Sequence, residues 1–214
     1  MQLYDEVRID HFRAFAGYYT IDAEAETAMN GVWQVGPRMG FFDGIKKRMG
    51  DVAIIAEDLG VITQDVVELK DKIGAPCLPF LPVGLGCCPS NVQLLHNHTE
   101  NSFVYPGTHD NDTVLGWYKA LDEGTRGYVS EYFDKEVHEG NVSRTFVNGA
   151  FSSVARTAVV QMQDLLALDN SARMNVPGVS EGNWGWRLEQ GHYDRLEEVS
   201  ATVMRQIELS NRLP

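Results

Sequence analysis

Short apolar runs alternate with longer amphipathic stretches along the first half of this chain. Residues 52–56 are all apolar, which is typical of a parallel strand buried on both faces. An amphipathic helix is predicted to follow, with Thr63 as its N-cap and Gly74 at the position where a glycine often ends a helix. This order of strand and helix predicts an α/β fold with a parallel sheet.

Other segments fit the same alternation. Strands are predicted at 7–10 and 102–107, with a weaker one at 77–83 because of its two prolines, and helices at 112–121 and 193–211. Residues 156–166 fit either a strand that runs into a turn or a helix. In the first strand, Arg8 and Asp10 lie on one face, and Val7 and Ile9 lie on the other.

Charge and composition narrow the possible partners. The 214 residues carry a net charge of −12, which repels nucleic acid and anionic membrane surfaces but is compatible with neutral sugars. No apolar run approaches the ~20 residues that span a bilayer. The three cysteines, Cys77, Cys87 and Cys88, form neither a disulfide framework nor a C-x-x-C pair, so we expect reduced thiols and no zinc site.

Acidic residues follow three of the predicted strands. Asp10 comes after the first strand, Glu57 after the apolar run, and Asp110 after the 102–107 strand. In parallel α/β folds the chemistry lies at the carboxyl ends of strands. Glycosyl transfer needs one carboxylate to attack and one acid to protonate the leaving oxygen, about 5–5.5 Å apart in a retaining enzyme. The spacing from Asp10 to Glu57 fits one βαβ unit with an insertion.

The environments of these acids predict their roles. In a barrel the outer face of a strand must be apolar, so Arg8 and Asp10 face inward, and a buried Arg8 would keep Asp10 ionised as a nucleophile requires. Glu57 has no cation in its own strand, and desolvation would favour the protonated form that a general acid needs.

Each feature also has a purely structural interpretation. Arg8 and Asp10 fit a structural ion pair, and Glu57 with Asp58 fits a cap for the next helix. Asp110 or Asn111 fits an N-cap for the helix at 112–121. Two further interpretations concern burial: His11 fits a core histidine, and Trp184 and Trp186 fit core positions better than sugar platforms.

Four motifs occur in one order: RIDHFR at 8–13, AEDLGVIT at 56–63, GTHDNDTVLGW at 107–117 and RMNVPG…GNWGWR at 173–187. Together they resemble the 4-α-glucanotransferase family, that is, amylomaltase or disproportionating enzyme. The resemblance implies a (β/α)₈ TIM barrel of glycoside-hydrolase type. It also implies transfer of an α-1,4-glucan segment to another glucan or to glucose, with no metal or organic cofactor.

The resemblance also assigns roles to individual positions. Asp10 matches the nucleophile, Glu57 the general acid/base, and Asp110 the third acid, which binds sugar hydroxyls. Substrate contacts are implied for four further residues: Arg8, His11, His109 and Asn111. The segment at 76–82 departs from the family pattern, which puts the sixth barrel strand in doubt.

Length and location complete the expectations. Family members are roughly twice this long, so we expect residues 1–214 to form the C-terminal portion of one barrel, about strands four to eight, and to be inactive alone. The resemblance implies α-1,4-glucans and maltooligosaccharides as partners, and the bacterial cytoplasm or the plastid stroma as location. Two alternatives stay open: an α-amylase-like hydrolase, and a non-catalytic glucan-binding or vestigial protein.

Overall fold

The computed structural model describes residues 3–86 and 88–213, so Cys87 of the Cys87–Cys88 pair lies outside the described residues. The chain divides into two compact units, residues 1–78 and residues 79–214.

The first unit contains one parallel strand pair with a hairpin inserted between its strands. β1 and β4 pair in parallel, and β2 and β3 form an antiparallel hairpin. This arrangement confirms the predicted βαβ unit with an insertion. The elements in chain order are β1 (Glu6–Ile9), β2 (Gly17–Thr20), β3 (Val32–Val35), α1 (Arg38–Met49), β4 (Ala53–Ala56) and α2 (Gln64–Ile73).

An aromatic cluster forms the core of the first unit. Phe12 is fully buried, and its ring centroid lies 5.8 Å from that of Phe42 on α1. Phe15 joins them through a centroid distance of 5.3 Å to Phe42. α2 ends at Ile73, and Gly74 directly after it has a left-handed φ of 68°, as expected for a glycine at this position. Phe12 therefore anchors the segment that directly follows β1 to the helices of this unit.

The second unit is mainly helical and contains a short parallel strand pair, β5 with β6. An isolated parallel bridge joins Phe80 to Tyr105 beside it. The elements are α3 (Leu81–Gly84), β5 (Phe103–Val104), α4 (Val114–Ala120), α5 (Glu123–Tyr132), α6 (Val142–Ser152), β6 (Thr157–Ala158), α7 (Met162–Leu165) and α8 (Gln190–Leu209).

Four expectations in this unit are revised. The strand predicted at 102–107 is reduced to β5, which is two residues long. The strand predicted at 77–83 is reduced to the bridge at Phe80, and the following residues form α3, because Pro82 fits the first turn of a helix but cannot donate to a strand ladder. Residues 156–166 contain both a strand and a helix, β6 and then α7. The helix predicted at 193–211 is α8, which begins three residues earlier.

The core of the second unit lies where α4 packs on α6. Val114, Tyr118 and Phe146 are nearly or fully buried there. The Tyr118 hydroxyl donates a 2.6 Å hydrogen bond to the carbonyl oxygen of Val137. α8 has no fully buried residue, so its apolar stripe is only half covered. Within residues 3–86 and 88–213, no helix has the length and apolar character required to cross a membrane.

Candidate active site

The register of β1 on β4 brings two of the predicted acids side by side. Ile9 lies opposite Ala56, so Asp10 and Glu57 are the next residues along two neighbouring parallel strands. The Glu57 amide donates to the carbonyl oxygen of Ile9 at 3.0 Å, which continues the ladder past both strand ends. Neighbouring strands are about 4.8 Å apart. This spacing is compatible with the carboxylate separation of a retaining glycosidase.

A left-handed turn after β1 holds the Glu57 carboxylate. His11 has φ 48° and ψ 49°, a region that a residue with a Cβ enters only at a cost. In this turn the His11 amide donates to Glu57 Oε2 at 2.7 Å, and the Phe12 amide donates to the Glu57 carbonyl oxygen at 3.0 Å. The Leu59 amide donates to Glu57 Oε1 at 3.2 Å. Glu57 is thus buried to 9% exposure, with an amide donor on each oxygen.

These contacts change the expected surroundings of Glu57 and His11. The sequence predicts a desolvated Glu57 with no cation in its own strand; the structure buries Glu57 and also places a backbone donor on each carboxylate oxygen. The interpretation of His11 as a core histidine is wrong, because His11 is exposed and contributes its backbone amide. The fully buried neighbour is Phe12.

Arg8 pairs with Asp10 at the end of β1, as their shared strand face predicts. The guanidinium NH2 lies 3.3 Å from Asp10 Oδ1. The side chain of Arg8 is 27% exposed and that of Asp10 is 74% exposed, so the guanidinium is not fully buried as expected. The Asp10 carboxylate is therefore open to solvent beside the Arg8 guanidinium.

Asp58, the neighbour of Glu57, has a structural role. It accepts from Lys70 Nζ at 2.6 Å and from the Leu78 amide at 2.9 Å. Both charged side chains are nearly buried, at 10% and 14% exposure. Asp58 therefore ties the end of β4 to α2 and to the segment that follows α2, which fixes the backbone that carries Glu57.

The second cluster of predicted site residues surrounds Asp110, in the second unit. Asn175 Nδ2 donates to Asp110 Oδ1 at 2.6 Å, and His109 Nε2 lies 3.3 Å from Asp110 Oδ2. Arg173 donates from NH2 to the Asp110 carbonyl oxygen at 2.8 Å and from Nε to the Asn175 carbonyl oxygen at 2.8 Å. The contacts of Arg173 and Asn175 are not predictable from the sequence, although both residues lie in the quoted motif at 173–187.

The cap of α4 differs from the expected one. Neither Asp110 nor Asn111 caps this helix; Thr113 does, with its hydroxyl oxygen accepting from the Gly116 amide at 3.0 Å. Asn111 instead closes the preceding turn, because its Oδ1 accepts from the amide and the hydroxyl of Thr108. Asp110 is therefore not engaged as a helix cap.

Trp184 is a surface residue rather than a core residue. It is 52% exposed, and its ring lies against His109 at a centroid distance of 5.3 Å. Its amide donates to the Met174 carbonyl oxygen at 2.7 Å, which joins the two ends of the motif at 173–187. Trp186 is half-buried and lies beside His192. The interpretation of both tryptophans as core residues is wrong for Trp184.

A buried acid supports the loop that carries Asp110. Asp164 on α7 is 1% exposed, and its Oδ1 accepts from the Val114 amide at the start of α4 at 2.8 Å. Burial raises the pKa of Asp164 to about 6, and the nearby Asp112 carboxylate adds to the effect.

The two clusters lie in different compact units of the chain. Arg8, Asp10, His11 and Glu57 belong to the first unit, whereas the stretch 109–111 belongs to the second. Across the described part of the chain, His, Cys, Asp and Glu side chains form no group of three or more suited to a metal ion.

The chain thus has mixed α/β structure, with Asp10 and Glu57 at the carboxyl ends of two paired parallel strands. The family model described as 4-alpha-glucanotransferase matches residues 1–193. The chain belongs to this family.

Three relatives illustrate the match. The chloroplastic/amyloplastic 4-alpha-glucanotransferase of Arabidopsis thaliana is 48% identical over 99% of this chain and 37% of its own. The 4-alpha-glucanotransferase of Streptococcus pneumoniae is 42% identical over 88% of this chain and 37% of its own. An amylomaltase from Streptococcus agalactiae, solved in complex with acarbose, is 33% identical with a TM-score of 0.91, over 100% of this chain and 43% of its own. The chain therefore spans about two fifths of the length of these relatives.

Proposed function

We propose that this chain carries the catalytic acids of a 4-α-glucanotransferase that acts by retaining double displacement. The observation that carries the proposal is the register of β1 on β4, which makes Asp10 and Glu57 neighbours at the carboxyl ends of two parallel strands. Family membership supports the reaction class, and the acarbose bound by the Streptococcus agalactiae relative supports a maltooligosaccharide-like substrate.

The proposed reaction has two steps. In the first, Asp10 attacks the anomeric carbon of an α-1,4-glucan, while Glu57 gives a proton to the departing glycosidic oxygen. In the second, the 4-hydroxyl of an acceptor glucan or glucose gives its proton to Glu57 and attacks the same carbon, which releases Asp10 as a carboxylate. The product keeps the α configuration because the carbon is inverted twice.

The remaining residues bind and orient the sugar. Arg8, whose guanidinium lies 3.3 Å from Asp10 Oδ1, holds the nucleophile in position at the end of β1. Asp110 is the third acid, which accepts hydrogen bonds from hydroxyls of the ring under attack, with His109 beside it. Contacts of His11 and Asn111 with substrate stay predictions. No cofactor enters the mechanism.

The proposal includes the architecture and the location. We assign the chain to about strands four to eight of a (β/α)₈ barrel, since its parallel pairs and its TM-score of 0.91 to an amylomaltase fit that part of such a fold. The bacterial cytoplasm or the plastid stroma stays the predicted location, and the Arabidopsis relative is chloroplastic/amyloplastic by name.

A hybrid enzyme tests the reaction. Residues 1–214 replace the matching 43% of the Streptococcus agalactiae amylomaltase, and the purified hybrid receives maltotriose. Transfer gives glucose together with longer maltooligosaccharides. A hydrolase would give reducing sugars without elongation, and a binding or vestigial protein would leave maltotriose intact. Either of the last two results, in a hybrid that is monodisperse and folded, contradicts the proposal.

Substitutions in the hybrid test the individual roles. Asp10→Asn should lower kcat roughly 10³-fold or more, and Glu57→Gln roughly 10²- to 10⁴-fold. Two exposed acids of the same unit provide matched controls, Asp43→Asn and Glu68→Gln, which should leave kcat within about twofold of the parent. α-Maltotriosyl fluoride, whose leaving group needs no proton, should restore the first step in Glu57→Gln but not in Asp10→Asn.

A further inference from the structure

Two residues of one short segment hold Asp110 from opposite ends. Asn175 contacts the side chain, through a 2.6 Å hydrogen bond from Nδ2 to Asp110 Oδ1. Arg173 contacts the main chain, through a 2.8 Å hydrogen bond from NH2 to the Asp110 carbonyl oxygen. These contacts join positions more than sixty residues apart in the sequence, so they are set by the tertiary fold.

Arg173 also fixes the residue that holds the carboxylate. Its Nε donates to the carbonyl oxygen of Asn175 at 2.8 Å, while its NH2 reaches Asp110. A guanidinium is planar, so two bonds from one guanidinium set the separation and direction of the two backbones that it joins. The Asn175 amide therefore reaches Asp110 in a defined position.

We infer that Asn175, oriented by Arg173, is a positioning residue that sets the rotamer of the Asp110 carboxylate for catalysis. The inference rests on the proposed function and adds to it a residue pair outside the acids. Oδ1 is committed to the Asn175 amide, and Oδ2 faces His109 at 3.3 Å. The Oδ2 side of the Asp110 carboxylate, next to the His109 ring, is then the side that accepts hydrogen bonds from sugar hydroxyls.

The residue type at position 175 is a functional requirement on this account. An asparagine offers an N–H donor without charge, so it orients the carboxylate and does not itself titrate. An aspartate of the same size would place a second carboxylate about 2.6 Å from Oδ1. Two carboxylates that close cannot both ionise readily, so the pair shares one proton at low pH and repels at high pH.

Three substitutions in the hybrid enzyme test the inference. Asn175→Ala removes the donor, and Asn175→Asp keeps the size but replaces the donor with a titrating group. Ser180→Asp is the matched control on the same loop, because it adds a titrating carboxyl at an exposed position. Steady-state kcat and KM are measured with maltotriose from pH 5 to pH 8, and circular dichroism checks the fold of each variant.

The expected results separate positioning from general support of the loop. Asn175→Ala should lower kcat roughly 10- to 100-fold with KM nearly unchanged. The ratio of Asn175→Asp activity to parent activity should be at least about fivefold higher at pH 5 than at pH 8, because a shared proton restores the hydrogen bond. The same ratio for Ser180→Asp should be flat. His109 and Arg173, the charged or titratable side chains that contact residue 110, are the same in all variants.

Two outcomes would overturn the inference, and they differ from a failure of the proposed function. One is an Asn175→Ala variant within twofold of the parent in kcat. The other is an Asn175→Asp variant whose activity ratio does not change with pH, which would indicate a merely structural contact. A parent hybrid that is folded but transfers no glucan would contradict the proposed function itself, and this inference with it.

Discussion

Replacing the buried Asp164 with asparagine should change how the stability of the protein depends on pH. Asp164 is 1% exposed, and burial raises its pKa from 3.8 to about 6. Asparagine has nearly the same shape, and its Oδ1 still accepts from the Val114 amide. Its Nδ2 faces Gln161, whose amide can turn to offer an oxygen. The substitution therefore removes the titration and keeps the packing.

The direction of this pH dependence follows from whether the folded or the unfolded state binds the proton more tightly. Between about pH 4 and pH 6 the folded protein keeps the Asp164 proton, whereas the unfolded chain has lost it. The free energy of unfolding of the parent therefore falls through this window, relative to a variant that does not titrate. A shift of about two pKa units corresponds to about 3 kcal/mol, because each unit is worth about 1.4 kcal/mol.

The assay is urea denaturation of the parent and of Asp164→Asn at pH 4, 5, 6 and 7. The difference in unfolding free energy, variant minus parent, should rise by about 2 kcal/mol across the series, because the unfolded carboxyl is already partly ionised at pH 4. Asp122→Asn gives a nearly flat control, because hydrogen bonds from Thr125 lower the pKa of Asp122 below 3.8, so its titration lies below this pH series. A difference for Asp164→Asn that stays flat or falls with rising pH would refute the reasoning.

Three further substitutions test the contacts that support the site. Lys70→Met should lower the free energy of unfolding by about 3 kcal/mol, because it leaves the Asp58 carboxylate buried without its cation. In a double-mutant cycle, the variant that also carries Asp58→Asn should lose less stability than Lys70→Met alone. Tyr118→Phe should cost about 1–2 kcal/mol, since the Val137 carbonyl oxygen loses a buried 2.6 Å hydrogen bond; an unchanged urea midpoint would count against that bond. Gly74→Ala should lower the melting temperature by an amount equivalent to about 1 kcal/mol, because alanine resists a φ of 68°; an unaltered melting temperature would contradict this.

The first half of the fold is largely predictable from the pattern of apolar residues. The run at 52–56 predicts β4, and the alternation at 7–10 predicts β1. Both strands are recognisable because a short apolar or alternating stretch stops abruptly at polar residues. α2 is predictable from its apolar face and from Gly74. The hairpin of β2 and β3 is not predicted, since its strands are exposed on both faces and show no alternation.

Only those parts of the candidate site that follow from the order of strands and helices can be predicted from the sequence. The pairing of Asp10 with Glu57 follows from strand ends that meet at one edge of a sheet. The contacts of Arg173 and Asn175 with Asp110 cannot be predicted in this way, because they join positions more than sixty residues apart and depend on tertiary folding. The role of the His11 backbone is also hidden, since a left-handed residue is set by the hydrogen bonds around it rather than by its own side chain.

The acid environments are the least predictable part. The sequence predicts the burial of Glu57 but not the two backbone amides that contact its carboxylate, because backbone donors leave no trace in residue types. The strongly buried acid is instead Asp164, in a segment where the sequence pattern does not distinguish strand from helix. Burial in this region is decided by how α7 packs on α6, which the periodicity does not reveal.

The central claim is that Asp10 is the nucleophile of a double displacement. The direct measurement is mass spectrometry of the Glu57→Gln hybrid after brief exposure to α-maltotriosyl fluoride, because this variant forms the glycosyl-enzyme but lacks the base that completes transfer. The account predicts one maltotriosyl unit attached to the enzyme, and peptide fragmentation should locate it at Asp10 within RIDHFR. Attachment at any other residue, or an adduct that persists in Asp10→Asn, would contradict the account.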